Sequence, residues 1–450
     1  MLSPSLPYAK PAVPARRARV TVFGRIFITV FVIAVFEGAA RKWVSDSLTM
    51  PLILLRDLMV VYALYHAVRY SGFTPARRTV RMLLWWSAIV CFWGLLQLVA
   101  GINSLPIFLI GVRFWLLYLW FAYAAAELLE PQDLEAIYKA ALAMLLFMAP
   151  LALVQHFQPP ESFLNRQIEG DPDTVFRVTA DVVRTTGTFS FTLGYTLFLA
   201  IVSPFALEAV LGEQKPGLGG KLYSLAVIGS LFIASLVSGS RSAILLLPIV
   251  FGIALLASLR YGKGKRRRAA VSWGIVSILM SVVIVLFVSS AVDATLERFS
   301  SAAESESFGD RVESMFFGVN DVSAEQSLLG SGLGLGSNLA NYFLQTGLLF
   351  VISETETGRV IGEMGLVGYL SILLKALIFI NGMWRALRVA RRTGNTFLIL
   401  MWTIAIFGLT SWPVVGQLTA NALGFVFAGI TLAATRQASQ RLYHPGIQSP

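Results

Sequence analysis

Charge is what this chain has least of. Only 14% of its 450 residues are Asp, Glu, Lys or Arg, while 56% are hydrophobic, and the mean hydropathy is +0.70. Soluble domains carry about 25% charged residues, so a water-exposed globular surface is excluded and lipid is the implied solvent. Cysteine is almost missing as well: Cys91 is the only one, which rules out an intrachain disulfide and reads as a small packing residue in an apolar run. The three histidines, His66, His156 and His444, are scattered. Asp171-Pro172-Asp173 has ligand spacing but reads better as a turn, so neither a metal nor another cofactor is expected.

What the chain has in abundance is apolar runs of membrane-crossing length. A hydrocarbon core about 30 Å thick needs roughly 20 apolar residues per helix. Twelve runs approach this, at 22–40, 48–68, 82–100, 105–128, 134–155, 187–211, 222–237, 242–259, 271–292, 360–384, 396–411 and 414–435. Only Trp412 and Pro413 separate the last two, so eleven or twelve spans fit. The fold class expected is an all-α polytopic membrane protein with a single integral domain over 22–435. A Pro- and Arg-rich tail over 1–21, read as disordered, precedes it, and a second tail over 436–450 follows.

Basic residues set the orientation, because loops rich in Lys and Arg stay cytoplasmic. With the N-terminus inside, one face collects Arg16, Arg17, Arg19, Arg77, Arg78, Arg81, Lys263, Lys265, Arg266, Arg267, Arg268, Arg388, Arg391, Arg392, Arg436 and Arg441. Both termini are then cytoplasmic. The net charge of +11 reads as a topology signal that also touches anionic lipid heads, with no nucleic-acid partner implied. Two long polar connections fall on the opposite, external face, at 156–186 and 293–358. Loops of that length are uncommon and usually functional. Alternating apolar positions in the second, among them Leu296, Phe299, Val312 and Phe316, fit short amphipathic helices on the membrane surface.

Charges inside apolar runs mark function by default. Arg56 and Asp57 lie about two turns into the second run and Arg113 a little over two turns into the fourth, roughly 10 Å below the external surface. Arg56 is either an ion-pair partner or an anion ligand. Arg25 and Lys375 sit nearer the cytoplasmic side, within snorkelling reach. Near the external mouths stand Arg184, Arg241, Arg311 and Arg359, where topology signals do not explain them. Arginine offers a planar fork of donors to phosphate oxygens and stays protonated. A ring of them suits a diphosphate whose lipid tail remains in the bilayer, with ordinary pairing to loop carboxylates as the alternative. Glu354 and Glu356 stand where the long loop re-enters the membrane, placed to accept a proton from a sugar hydroxyl. Glu363 follows Arg359 by one helical turn and reads as its salt-bridge partner. The run Gly330 to Gly336 does not fit GxGxxG and reads as tight turns.

Together these elements resemble the bacterial O-antigen ligase and O-antigen polymerase superfamily of polysaccharide-assembly enzymes. The resemblance covers roughly 184–370. It rests on Arg184-Thr-Thr-Gly-Thr-Phe189 entering a span, Ser240-Arg241-Ser242-Ala243 opening another, Arg311 early in a large external loop, Leu328-Leu-Gly-Ser-Gly-Leu-Gly-Leu-Gly336 within it, and Glu363-Met-Gly-Leu-Val-Gly368 starting the next span. It implies an inner-membrane glycosyltransferase of GT-C type using an undecaprenyl-diphosphate-linked oligosaccharide donor and a glycan acceptor at the periplasmic face, without a metal. Other polysaccharide-assembly proteins are its implied partners, and Arg184, Arg241 and Arg311 inherit the diphosphate role. Where such ligases place a His-Asn pair about nine residues before their Glu-x-Gly motif, this chain has Glu354-Thr355, and a carboxylate can take a proton as imidazole does. That departure points to polymerisation of repeat units, with ligase-type transfer to another acceptor or a lipid-linked glycan flippase as alternatives.

Overall fold

A computed structural model describes residues 19–167, 183–212, 217–287, 327–344 and 355–443; these are helical, with no β-strand. Helices α1 (Val22–Trp43), α2 (Thr49–Tyr70) and α3 (Arg78–Val99) come first. Next, α4 (Leu105–Val112) passes through a π-turn at Arg113–Leu117 into α5 (Tyr118–Leu128). Five more follow: α6 (Pro131–Phe157), α7 (Thr192–Leu211), α8 (Leu218–Leu236), α9 (Arg241–Tyr261) and α10 (Lys265–Phe287). The short α11 (Asn338–Leu344) and α12 (Glu356–Met364) precede α13 (Leu366–Thr393), α14 (Phe397–Ser411) and α15 (Leu418–Tyr443).

Each of the twelve apolar runs contains a helix. Among the described residues, ten helical segments are long and apolar enough to cross a membrane, α4 to α5 counting as one, and α14 is a shorter apolar helix. The chief departure is at 360–384, which is not one helix. Gly365, at φ +52°, separates α12 from α13. A side chain there would collide with the Leu328 carbonyl, which instead accepts the Leu366 N–H at 3.0 Å.

Helix α7 is apolar on every side and stands at the centre, with α6, α8, α9, α10, α14 and α15 packed around it. Pro204 within it cannot donate to the Ala200 carbonyl, and the Ser203 hydroxyl does so at 2.8 Å. At the periphery, α2 and α3 turn large apolar side chains such as Leu58, Tyr62, Trp85 and Phe92 outward. Water would penalise such a surface and lipid does not.

Helix alternation places the connections after α1, α3, α6, α8, α10 and α14 at one end, here the loop end. The opposite, basic end is tied by acidic partners: Asp133 accepts from the Thr21 N–H and hydroxyl at 2.8 Å each, Glu208 pairs with Arg266 at 2.5 Å, and Glu127 pairs with Arg77 at 3.0 Å.

Candidate functional site at the loop end

The glycine run folds around one carboxylate. Glu363 is fully buried in α12 and accepts from the Trp115 indole at 2.9 Å and from the Gly334 and Gly336 amides at 3.1 Å each. Gln97 of α3 staples the same turn: its amide nitrogen donates to the carbonyls of Leu329 (2.6 Å) and Glu363 (2.8 Å), and its oxygen accepts from the Leu333 amide (2.8 Å). Close backbone approach is why glycine is needed here. At Gly334, φ +88°, a Cβ would stand 2.5 Å from Gly111 backbone. Burial raises the Glu363 pKa from 4.5 to about 7, opposed by Trp115, Arg359 and the two amides.

Arg359 and Glu356 extend this network. Arg359 is buried, and its guanidinium donates to the Gly336 carbonyl. Burial lowers its pKa, while Glu363 and Glu356 pull the other way. Glu356 accepts from Lys375 of α13 at 2.9 Å and from the Val415 amide at 3.1 Å. So Lys375, expected to snorkel toward the cytoplasmic side, instead reaches back to the loop end. The Arg359 and Glu363 pair expected one turn apart does form electrostatically, yet the hydrogen bonds of Glu363 go to Trp115 and the glycine turn. Glu356 is fully buried, and its carboxylate is committed to holding α12 against α13 and the 412–417 connection.

A second network lies deeper, among α1, α2, α5 and α15. Arg56 is fully buried; it donates to Glu37 at 2.5 Å, to the Tyr118 hydroxyl at 2.9 Å and to the Leu418 carbonyl at 3.4 Å. Its ion-pair partner is Glu37 rather than its neighbour Asp57. Asp57 instead takes both nitrogens of a fork from Arg113, at 2.8 and 2.9 Å, and accepts from Tyr118 at 3.0 Å. The π-turn is what allows this. Its extra residue lets Arg113, Trp115 and Tyr118 all engage interior partners, and Asn421 donates to the Phe114 carbonyl at 2.9 Å.

Among the described residues of this network, cations outnumber carboxylates. Among the described residues, Arg41 (3.2 Å from Glu37), Lys42, Arg56 and Arg113 face only Glu37 and Asp57. Lys42 is buried, and its ammonium meets neutral oxygens, Thr186 Oγ1 and the Gly187 carbonyl, both at 2.8 Å. Those residues belong to the segment that carries Arg184. Thr185, in turn, donates to the Val237 carbonyl at 3.1 Å, drawing this segment against the turn that leads to Arg241 at the start of α9. The structure thus brings the Arg184 and Arg241 segments together beside the end of α1. Arg311 and Glu354 lie outside the described residues.

Sequence reasoning missed Glu37, Lys42, Gln97, Trp115, Tyr118 and Asn421 as site builders. Position signalled Glu37, a carboxylate inside the 22–40 run, whereas Lys42 falls just past the end of that run. Nothing in the sequence links Trp115 to Glu363. No group of His, Cys, Asp or Glu suited to a metal ion occurs among the described residues. Compared with protein-family models and with curated proteins, the chain matches none. Function has to be read from the geometry of the loop end.

Proposed function

We propose that the protein is a membrane-embedded glycosyltransferase that polymerises lipid-diphosphate-linked oligosaccharide at the periplasmic face of a bacterial inner membrane. An acceptor hydroxyl attacks the anomeric carbon of the donor, the bond from that carbon to the diphosphate oxygen breaks, and the diphosphate leaves on its lipid. The observation that carries this reading is that the segments of Arg184 and Arg241 adjoin beside the buried ammonium of Lys42, which meets only neutral oxygens among the described residues. Charge developing on a departing diphosphate is stabilised by cations already in place. Arg184, Arg241 and Arg311 fill that role, and Glu354, just before the Thr355 cap of α12, takes the hydroxyl proton. Glu356 and Arg359 brace the re-entry point. A flippase would need a row of accessible charges through the bilayer, whereas Arg56 and Arg113 are each closed off by a carboxylate.

The test is Arg241→Ala in the full-length protein. Polymer disappears and single lipid-linked units remain. Polymer of normal length at normal expression would sink the proposal.

A further inference from the structure

Resting on that reading, a neighbouring set of side chains has polar atoms without partners. Lys42 lends two of its three ammonium protons to Thr186 and Gly187 and has no carboxylate partner among the described residues. An uncompensated buried ammonium is costly to the free protein. Next to it, the Trp43 indole N–H is buried with no hydrogen-bond partner among the described residues. Its ring contacts Phe163 at a centroid distance of 6.3 Å, which places Phe163 against the end of α1. Four residues on, Gln167 is 5% exposed, and both its amide nitrogen and its oxygen lack partners among the described residues. Gln155 joins the two sides: it donates to the Leu164 carbonyl at 2.8 Å and accepts from the Gly187 amide at 2.8 Å. Native structures seldom leave buried polar atoms unpaired, and a cluster of them calls for an occupant.

We infer that Lys42, Trp43 and Gln167 form a subsite for the phosphate and first sugar of the lipid-linked donor. The ammonium supplies the missing countercharge relation to a phosphate oxygen, strengthened by the low dielectric around it. The indole N–H and the carboxamide supply the donors and acceptor that sugar hydroxyls require. Neither group has to break an existing hydrogen bond to do so.

The experiment measures binding of undecaprenyl diphosphate, and of the same lipid carrying one sugar, to the full-length protein in phosphatidylcholine vesicles. Lys42→Met weakens both ligands by about tenfold or more, the loss of a charge-assisted hydrogen bond. Lys42→Arg keeps both. Gln167→Leu weakens only the sugar-bearing lipid, and Thr186→Val, which removes the tether and keeps the ammonium, leaves both close to wild type. The inference is overturned if Lys42→Met binds both as the wild type does, if Thr186→Val loses as much as Lys42→Met, or if Gln167→Leu weakens both lipids equally. Competition by phosphatidylglycerol at equal concentration also overturns it, marking a structural-lipid site. Should Lys42→Met fail to fold, Gln167→Leu and Thr186→Val decide. A wild type that binds neither lipid removes the glycosyltransferase reading itself, which separates the two failures.

Discussion

At Glu363 two effects of opposite sign meet. Burial favours the neutral acid, while the indole of Trp115, the guanidinium of Arg359 and the amides of Gly334 and Gly336 favour the carboxylate; burial prevails, and the pKa rises to about 7. A folded-state pKa above the unfolded value of 4.5 means that the folded protein holds this proton to higher pH. Its stabilising contribution is therefore full below about 4.5 and lost as pH rises through about 7. The thermal midpoint in detergent, at fixed scan rate, should fall from pH 5 to pH 8 in the wild type, and that part of the slope should vanish in Glu363→Gln. Identical slopes would refute it. Arg56 poses a different problem, because removing it leaves Glu37 with Arg41 as its one ion-pair partner among the described residues. Arg56→Met should cost about 3 kcal/mol, the lower end for breaking a buried pair, visible as a lower midpoint and poorer yield. The sequence marked Arg56 and Arg113 as buried charges but not their partners, since the network joins α1, α2, α5 and α15 across hundreds of residues of chain.

Among the elements, the glycine turn illustrates how local pattern and distant packing divide the work. Gly330, Gly332 and Gly334 all have positive φ, which the density of glycines in the run announced. That the turn wraps Glu363 and docks on α4 was not announced. Gly334 presses against Gly111 backbone: a methyl group on Gly334 would stand 2.5 Å from Gly111, and one on Gly111 would stand 2.6 Å from Leu333. Gly334→Ala should lower stability by about 1–3 kcal/mol, the range for backbone strain and overpacking, and expose the 327–337 segment to limited proteolysis. An unchanged cleavage pattern and midpoint would contradict this. The break at Gly365 belongs to the same element. The apolar run reads through it because Val360, Ile361 and Met364 at the end of α12 lead straight into the apolar start of α13, whereas the Leu328 carbonyl lies where a side chain at Gly365 would stand.

On the scale of the whole molecule, the membrane orientation can be checked directly. With Cys91 replaced by Ala, Asn395→Cys at the basic end should react with an impermeant maleimide from the cytoplasmic side only. Ser104→Cys at the loop end should react from the other side only; both positions are exposed. The reverse pattern would overturn the topology. Composition and hydrophobic periodicity by themselves determined that the chain is a helical membrane protein, where its apolar helices run apart from the break at Gly365, and which connections collect basic residues, because lipid imposes span length and backbone self-satisfaction on any sequence it dissolves. Tertiary structure alone decided which charges are compensated. Arg56, Arg113, Lys375 and Glu356 each found a charged partner on another helix, whereas Lys42, among the described residues, found only neutral oxygens. Whether a buried charge is part of the scaffold or is left to meet a ligand depends on what stands within a few ångströms of it, and that is settled by packing between segments far apart in the chain.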